Sequence, residues 1–199
     1  MENFWAKKIY TLSGFAKEDI LEGRKALDVG CGQRKLKGAV GLDIISDSQA
    51  DVFYDIQKTP WPLEKDSFDL ILLNHVLEHS DDVLKILNEV HRVLKPGGRA
   101  VIQVPYFRSN AAFADPTHKH FFNSFSLDYM TEGTKLSGYK YTDSLFRKIG
   151  FWYGWPHKSK NPFRQAIKNF VQKNPGLYDQ YLSLIFPTLC LTWELEVIK

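Results

Sequence analysis

Apolar positions in the first half of the chain come in short bursts that stop on a glycine or a carboxylate. Ala26, Leu27 and Val29 run into Gly30-Cys31-Gly32, Ala39, Val40 and Leu42 run into Asp43, and Phe68 to Asn74 is nearly continuous. Such runs predict strands buried on both faces of a parallel sheet. Further strands are predicted over residues 51–56, over 99–105, over 150–155 after a helix at 141–149, and over 188–198, whose latter half alternates at period two. Val83, Leu87, Val90 and Leu94 repeat at helical spacing behind Ser80-Asp81-Asp82, which supplies a cap and acidic groups for the positive helix end. Lys95-Pro96-Gly97-Gly98 predicts where that helix stops. Phe4, Trp5, Ile9, Leu12 and Phe15 recur at helix-like intervals and predict an N-terminal helical arm over 1–23. Before the last strand, Phe163, Ala166, Ile167, Phe170 and Val171 share one helical face with Arg164, Lys168 and Lys173 off it, and a second apolar run follows Pro175-Gly176. Strands alternating with helices give an α/β class.

Composition narrows this little further. At 199 residues, 44% hydrophobic and 25% charged, the chain reads as one soluble domain over 1–199 with a sizeable core. It divides into the arm, a half at 24–105 and a half at 106–199 with a helical insertion at about 161–186. A net charge of +3 is too mild to argue for nucleic acid. The two cysteines, Cys31 and Cys190, lie far apart without zinc spacing, and neither a signal peptide nor a run of transmembrane length is present, so a cytoplasmic location is expected.

The candidate chemistry begins at the two glycines. Glycines at the end of one strand and a carboxylate at the tip of the next, Asp43, are how an open α/β sheet holds a nucleoside-containing cofactor. Gln33, Arg34 and Lys35 stand where a third glycine of the dinucleotide fingerprint would be, and the segment between the two strands is short for a crossover helix. A pyrophosphate would want that helix's amino end beneath it. S-adenosylmethionine has no phosphate and carries positive charge that Asp28 could meet, so the pattern suits it better than NAD.

Leu27-Asp-Val-Gly-Cys-Gly, Gly41-Leu-Asp-Ile, Asp66-Ser-Phe-Asp-Leu-Ile, His75-Val-Leu-Glu-His and Leu94-Lys-Pro-Gly-Gly, in that order over residues 25–105, resemble a class I S-adenosylmethionine-dependent methyltransferase of the subset with an L-E-H signature. The resemblance implies a Rossmann-like, three-layer sheet of seven strands, the last antiparallel between the fifth and sixth. It implies S-adenosylmethionine as cofactor, with S-adenosylhomocysteine as product. Asp28, Gly30, Cys31 and Gly32 would form the cofactor loop, Asp43 would take the ribose, Asp55 and Ile56 the adenine, and Asn74 and His75 would lie beside the methyl donor. The L-E-H signature recurs in relatives with unrelated substrates, which favours a structural role for Glu78 and His79. Tyr10, in the arm, is a candidate to close over the cofactor.

Substrate chemistry is expected in residues 106–134, after the fifth strand, where Asp115-Pro-Thr-His118-Lys-His120-Phe-Phe-Asn123 gathers reactive groups. A hydroxyl acceptor must lose its proton, and histidine suits neutral pH, so His118 and His120 are the candidate bases with Asp115 as orienting partner. A metal held by Asp115, His118, His120 and His75 is open, but spacing alone gives it little support, and the expectation is no metal. The D-P-T-H-K-H-F-F segment loosely resembles methyltransferases acting on sugars of surface glycans, so a small molecule or a glycan hydroxyl is the expected acceptor. The basic amphipathic stretch over 163–186 leaves open a peripheral membrane contact, packing on its own domain, or a homodimer. The competing functions are a non-catalytic or membrane-associating S-adenosylmethionine-binding module and an NAD-linked oxidoreductase on the same sheet.

Overall fold

The computed structural model describes residues 5–10 and 20–199. Seven strands form one sheet: β1 (Ala26–Val29), β2 (Val40–Asp43), β3 (Val52–Phe53), β4 (Phe68–Asn74), β5 (Leu94–Pro105), β6 (Phe146–Tyr153) and β7 (Cys190–Val197), in the order β3-β2-β1-β4-β5-β7-β6. β7 runs antiparallel to both β5 and β6, and the remaining pairs are parallel. This is the three-layer arrangement with an inserted antiparallel last strand that the motif order implied. Side chains alternate across it. Leu27, Val29, Ile71, Leu73, Ala100 and Ile102 face the amphipathic helix α2 (Val83–Val93), while Ala26, Leu70, Leu72 and Val101 face the short arm helix α1 (Trp5–Ile9). No helix lies between β1 and β2, in keeping with the short crossover.

Several sequence expectations shift. The predicted helix over 141–149 is absent, because backbone pairing with β7 from Phe146↔Val197 to Tyr153↔Leu191 draws these residues into β6. The third strand shrinks from 51–56 to Val52–Phe53, since Asp55 turns the chain by accepting the Gln57 amide at 3.0 Å. The cap of α2 is Asp82, which accepts the Lys85 amide at 3.0 Å, and Ser80 is buried with its hydroxyl on Leu77 O. In the last turns of α2, His91 meets Ile198 O at 2.8 Å, and Arg92 pairs with Glu89 while donating to Leu63 O and Trp61 O. Within the arm, Phe4, Leu12 and Phe15 lie outside the described residues. The α1 amides of Trp5 and Ala6 donate to the buried Glu194 of β7, whose carboxylate also pairs with Arg99 at 2.8 Å.

The segment between β6 and β7 holds α4 (Pro162–Lys173) and α5 (Pro175–Gln180). A third short helix, α3 (Asn110–Ala114), follows β5. Buried Asp179 of α5 accepts four hydrogen bonds: from Tyr106 OH at 2.9 Å, Tyr153 OH at 2.8 Å, and Ser124 through its hydroxyl at 2.6 Å and its amide at 3.1 Å. Tyr106 follows β5 and Tyr153 ends β6, so one carboxylate fastens the insertion to the carboxyl edge of the sheet.

Candidate active site

The carboxyl ends of β1, β2 and β4 open on two cavities that meet at Gly30. Gly30 has φ +65°, and a Cβ there would come within 2.5 Å of Val76 Cγ2, so the site excludes any other residue. The larger cavity, about 400 Å³, has Asp43, Asp55, Ile56 and His75 in its wall, and the smaller, about 280 Å³, has Asp28, Cys31, Gly32 and Asn74. All nine sequence-predicted cofactor residues therefore line one cavity or the other.

Asp43 is buried, with Oδ2 accepting the Gly32 amide at 2.8 Å and Oδ1 the Ile45 amide at 2.9 Å. An ionised carboxylate has about four acceptor directions, so two remain for a pair of vicinal hydroxyls. Ile44 and Ile45 stand exposed in the larger cavity, at 66% and 58%, and the sequence reading did not assign them. An apolar pair placed directly after the strand-tip carboxylate was the available signal. Asn74 accepts the Tyr10 hydroxyl at 3.3 Å, and Tyr10 is buried, reaching the site through Asn74.

Burial, above all, pushes the Asp28 carboxyl up to about 7, the Leu36 amide at 2.7 Å opposing the rise and the charge of Asp43 adding to it. A cation arriving in the smaller cavity favours the ionised form, so binding below that pH must release a proton. Affinity for S-adenosylmethionine is therefore expected to rise with pH up to about 7 and level off above it. Calorimetry across this range would check it, and Asp28→Asn should flatten the profile. Burial also pushes the thiols of Cys31 and Cys190 up, to about 11 and about 12, so neither is a thiolate nucleophile near neutral pH.

After β4 the chain makes a tight turn. His75 has φ +57°, a left-handed conformation uncommon outside glycine, and the next residues, Leu77–His79, form a 3₁₀ turn. The turn folds Glu78 back beneath His75, so that Glu78 Oε1 lies 3.0 Å from His75 Nδ1. Glu78 is 1% exposed and His75 42%, which buries the carboxylate and leaves the imidazole at the cavity wall. A carboxylate accepts from Nδ1–H, so Nε2 carries the lone pair.

The 115–123 segment is divided. His118 lies edge-on to His79, ring centroids 4.7 Å apart, and its Nδ1 meets Ala112 O at 2.9 Å. Asp115 is exposed and accepts the Thr117 hydroxyl at 2.7 Å and amide at 2.8 Å, while that hydroxyl meets His79 Nδ1 at 2.9 Å. These bonds from Thr117 hold the Asp115 carboxyl below its usual range. Asp115 thus orients His79 through Thr117; its backbone carbonyl accepts the His118 amide at 3.3 Å, but its carboxylate bonds neither the His118 nor the His120 ring. His120 lines a different cavity, about 350 Å³, beside Val83 and Leu87 of α2 and Met130. The structure places His118 beside the larger cavity's rim through His79 and sets His120 apart from it.

A family model described as "Methyltransferase domain" matches residues 27–102, from β1 into β5. The Archaeoglobus fulgidus SAM-dependent methyltransferase structure superposes with a TM-score of 0.59 at 18% identity, covering 87% of this chain and 86% of that one. Residues 27–102 match that family, and the fold of the chain is that of class I S-adenosylmethionine-dependent methyltransferases. Two curated relatives of the chain are the human mitochondrial ubiquinone biosynthesis O-methyltransferase and a Staphylococcus epidermidis demethylmenaquinone methyltransferase. The first is 27% identical, covering 78% of this chain and 53% of the relative, and the second is 32% identical, covering 50% of each. The chain therefore spans about half the length of these relatives. Among its described residues, no helix is long and apolar enough to cross a membrane.

Proposed function

We propose that this chain transfers the methyl group of S-adenosylmethionine to a hydroxyl carried on an apolar, aromatic small molecule. The observation that carries this reading is the His75–Glu78 pair at the wall of the donor cavity, an imidazole whose Nδ1 is held by a buried carboxylate. In the reaction, Nε2 of His75 takes the proton of the acceptor hydroxyl. The oxygen lone pair then forms the O–CH₃ bond as the S⁺–CH₃ bond breaks, its electrons return to sulfur, and S-adenosylhomocysteine remains. The imidazolium gives its proton to solvent. The ribose would sit on Asp43, the adenine among Ile44, Ile45, Asp55 and Ile56, and the methionyl end near Asp28, Gly32 and Asn74. Much of the rate advantage comes from holding oxygen, carbon and sulfur in line.

Two observations support an apolar acceptor over the glycan hydroxyl suggested by the 115–122 segment. A cavity of about 480 Å³ lies under the insertion, lined by Ile167, Phe170, Val171, Tyr178, Leu182 and Phe186, with Tyr153 at the same carboxyl edge of the sheet. A sugar ring would leave such walls unused. Both curated relatives named above carry quinone-biosynthesis names, and neither is a glycan-modifying enzyme by name. The exposed Phe163, Ile167 and Phe170, with Arg164 and Lys173 nearby, would also let the insertion rest on an anionic lipid surface where such an acceptor dissolves.

Incubating the full chain with methyl-labelled S-adenosylmethionine and a panel of aromatic diols and sugars tests the proposal. Label on an aromatic oxygen, with thermal stabilisation by S-adenosylhomocysteine but not by NAD, is the expected result. Label on a sugar, or stabilisation by NAD alone, overturns it.

A further inference from the structure

Glu78, His79 and His118 each offer one donor atom within 4.8 Å of the other two. This is not the set weighed from the sequence. The structure replaces Asp115, His120 and His75 with the two residues of the L-E-H signature, whose recurrence across unrelated substrates favours structural work. We propose that these three side chains bind a first-row divalent cation at the wall of the donor cavity.

Hydrogen bonds decide which atoms are available. Ala112 O can only accept, so His118 Nδ1 must carry the proton and donate at 2.9 Å. The single Thr117 hydroxyl proton goes to Asp115, so the bond between Thr117 Oγ1 and His79 Nδ1 must run from the ring. Each imidazole is therefore fixed as the tautomer whose lone pair sits on Nε2. An oxygen acceptor on the far ring nitrogen is the usual outer partner of a metal-bound histidine. On the carboxylate, Oε1 is engaged by His75, while Oε2 is buried without a hydrogen-bond partner. Leaving an oxygen of a buried carboxylate bare is costly, and a cation removes that cost.

The backbone holds the three groups together. Glu78 and His79 share the turn after β4, and the chain carrying His118 is laced to it by the Lys119 and His120 amides, which donate to Glu78 O at 2.7 and 3.2 Å. Ligands around one ion at roughly 2.1 Å lie no more than roughly 4.2 Å apart, so closure needs only small side-chain rotations. Two imidazoles and one carboxylate suit zinc, cobalt, manganese or iron better than magnesium or calcium, which prefer oxygen ligands. Three protein ligands also leave coordination positions open. His79 lines the donor cavity, so an acceptor oxygen could occupy one of them. That role for the ion rests on the methyl-transfer reading, whereas its binding does not.

The test uses the purified full chain, stripped with a chelator and titrated with Co²⁺ in the absence of donor and acceptor, following the visible absorption of the bound ion. One equivalent is expected to bind to the native chain. His118→Ala, at a half-buried position, should weaken binding at least about 100-fold, and Thr117→Val, which removes the outer partner of His79 and no proposed ligand, about 10-fold. His120→Ala should leave binding unchanged. S-adenosylhomocysteine binding, measured on each variant, reports that it is folded. No Co²⁺ signal, or one that His118→Ala leaves intact, overturns the site. Loss of S-adenosylhomocysteine binding by a native chain that still takes one Co²⁺ would instead sink the methyl-transfer reading and leave the metal site standing.

Discussion

Replacing His75 with alanine is expected to lower kcat for methyl transfer by about 10²–10⁴-fold, the range for loss of a positioned base, with the dissociation constant for S-adenosylmethionine changed less than tenfold. Because His75 has φ +57°, alanine also meets a backbone conformation it adopts poorly. His75→Asn is the better variant, since asparagine tolerates that conformation but supplies no base. Both variants should lose turnover to the same degree if the imidazole is what matters. If His75→Asn turns over at the native rate, the base lies elsewhere, and His118 becomes the next group to examine. Glu78 enters the same measurement indirectly. It fixes the tautomer of His75, so its loss should reduce turnover without removing any group that touches the acceptor.

The second large effect is expected at Asp43. Its two remaining acceptor directions would each take a ribose hydroxyl, and a hydrogen bond to a charged group contributes about 1.5–3 kcal/mol. Asp43→Ala should therefore raise the dissociation constant for S-adenosylhomocysteine at least about 100-fold by calorimetry. The Gly32 and Ile45 amides lose their acceptor as well, at 2.8 and 2.9 Å in the native chain. They face an open cavity where water can replace the carboxylate, so the melting temperature should fall only modestly. Native affinity in Asp43→Ala would remove this residue from the cofactor site.

Much of the fold was legible because its signals are local. The runs ending at Val29, Asp43 and Asn74 are bounded by the residues that also line the cavities, so strand ends and candidate site could be read together. What escaped was set by partners far away in sequence. Residues 141–149 carry a helix-like spacing, but β7, some fifty residues later, supplies a pairing edge that overrides it. The role of Glu194 beneath α1 joins the two ends of the chain through a contact 189 residues apart. Glu78 and His79 were discounted for a different reason. A signature shared across substrates says nothing about acceptor choice, yet it can still hold a carboxylate under a histidine, and only the left-handed turn at His75 reveals that. His118 and His120 sit two residues apart in sequence and open on separate spaces, because the amides of Lys119 and His120 are both pulled onto Glu78 O.

The anchoring of Asp179 bears on how such proteins diversify. Tyr106, Ser124 and Tyr153 belong to three different stretches of chain, and each gives a proton-bearing group to the same carboxylate. Grafting residues 162–186 onto another scaffold of this fold would import a buried anion whose donors stay behind. A transplant that swaps acceptor preference must therefore carry all three donors along, or exchange the aspartate for an apolar residue in the same step.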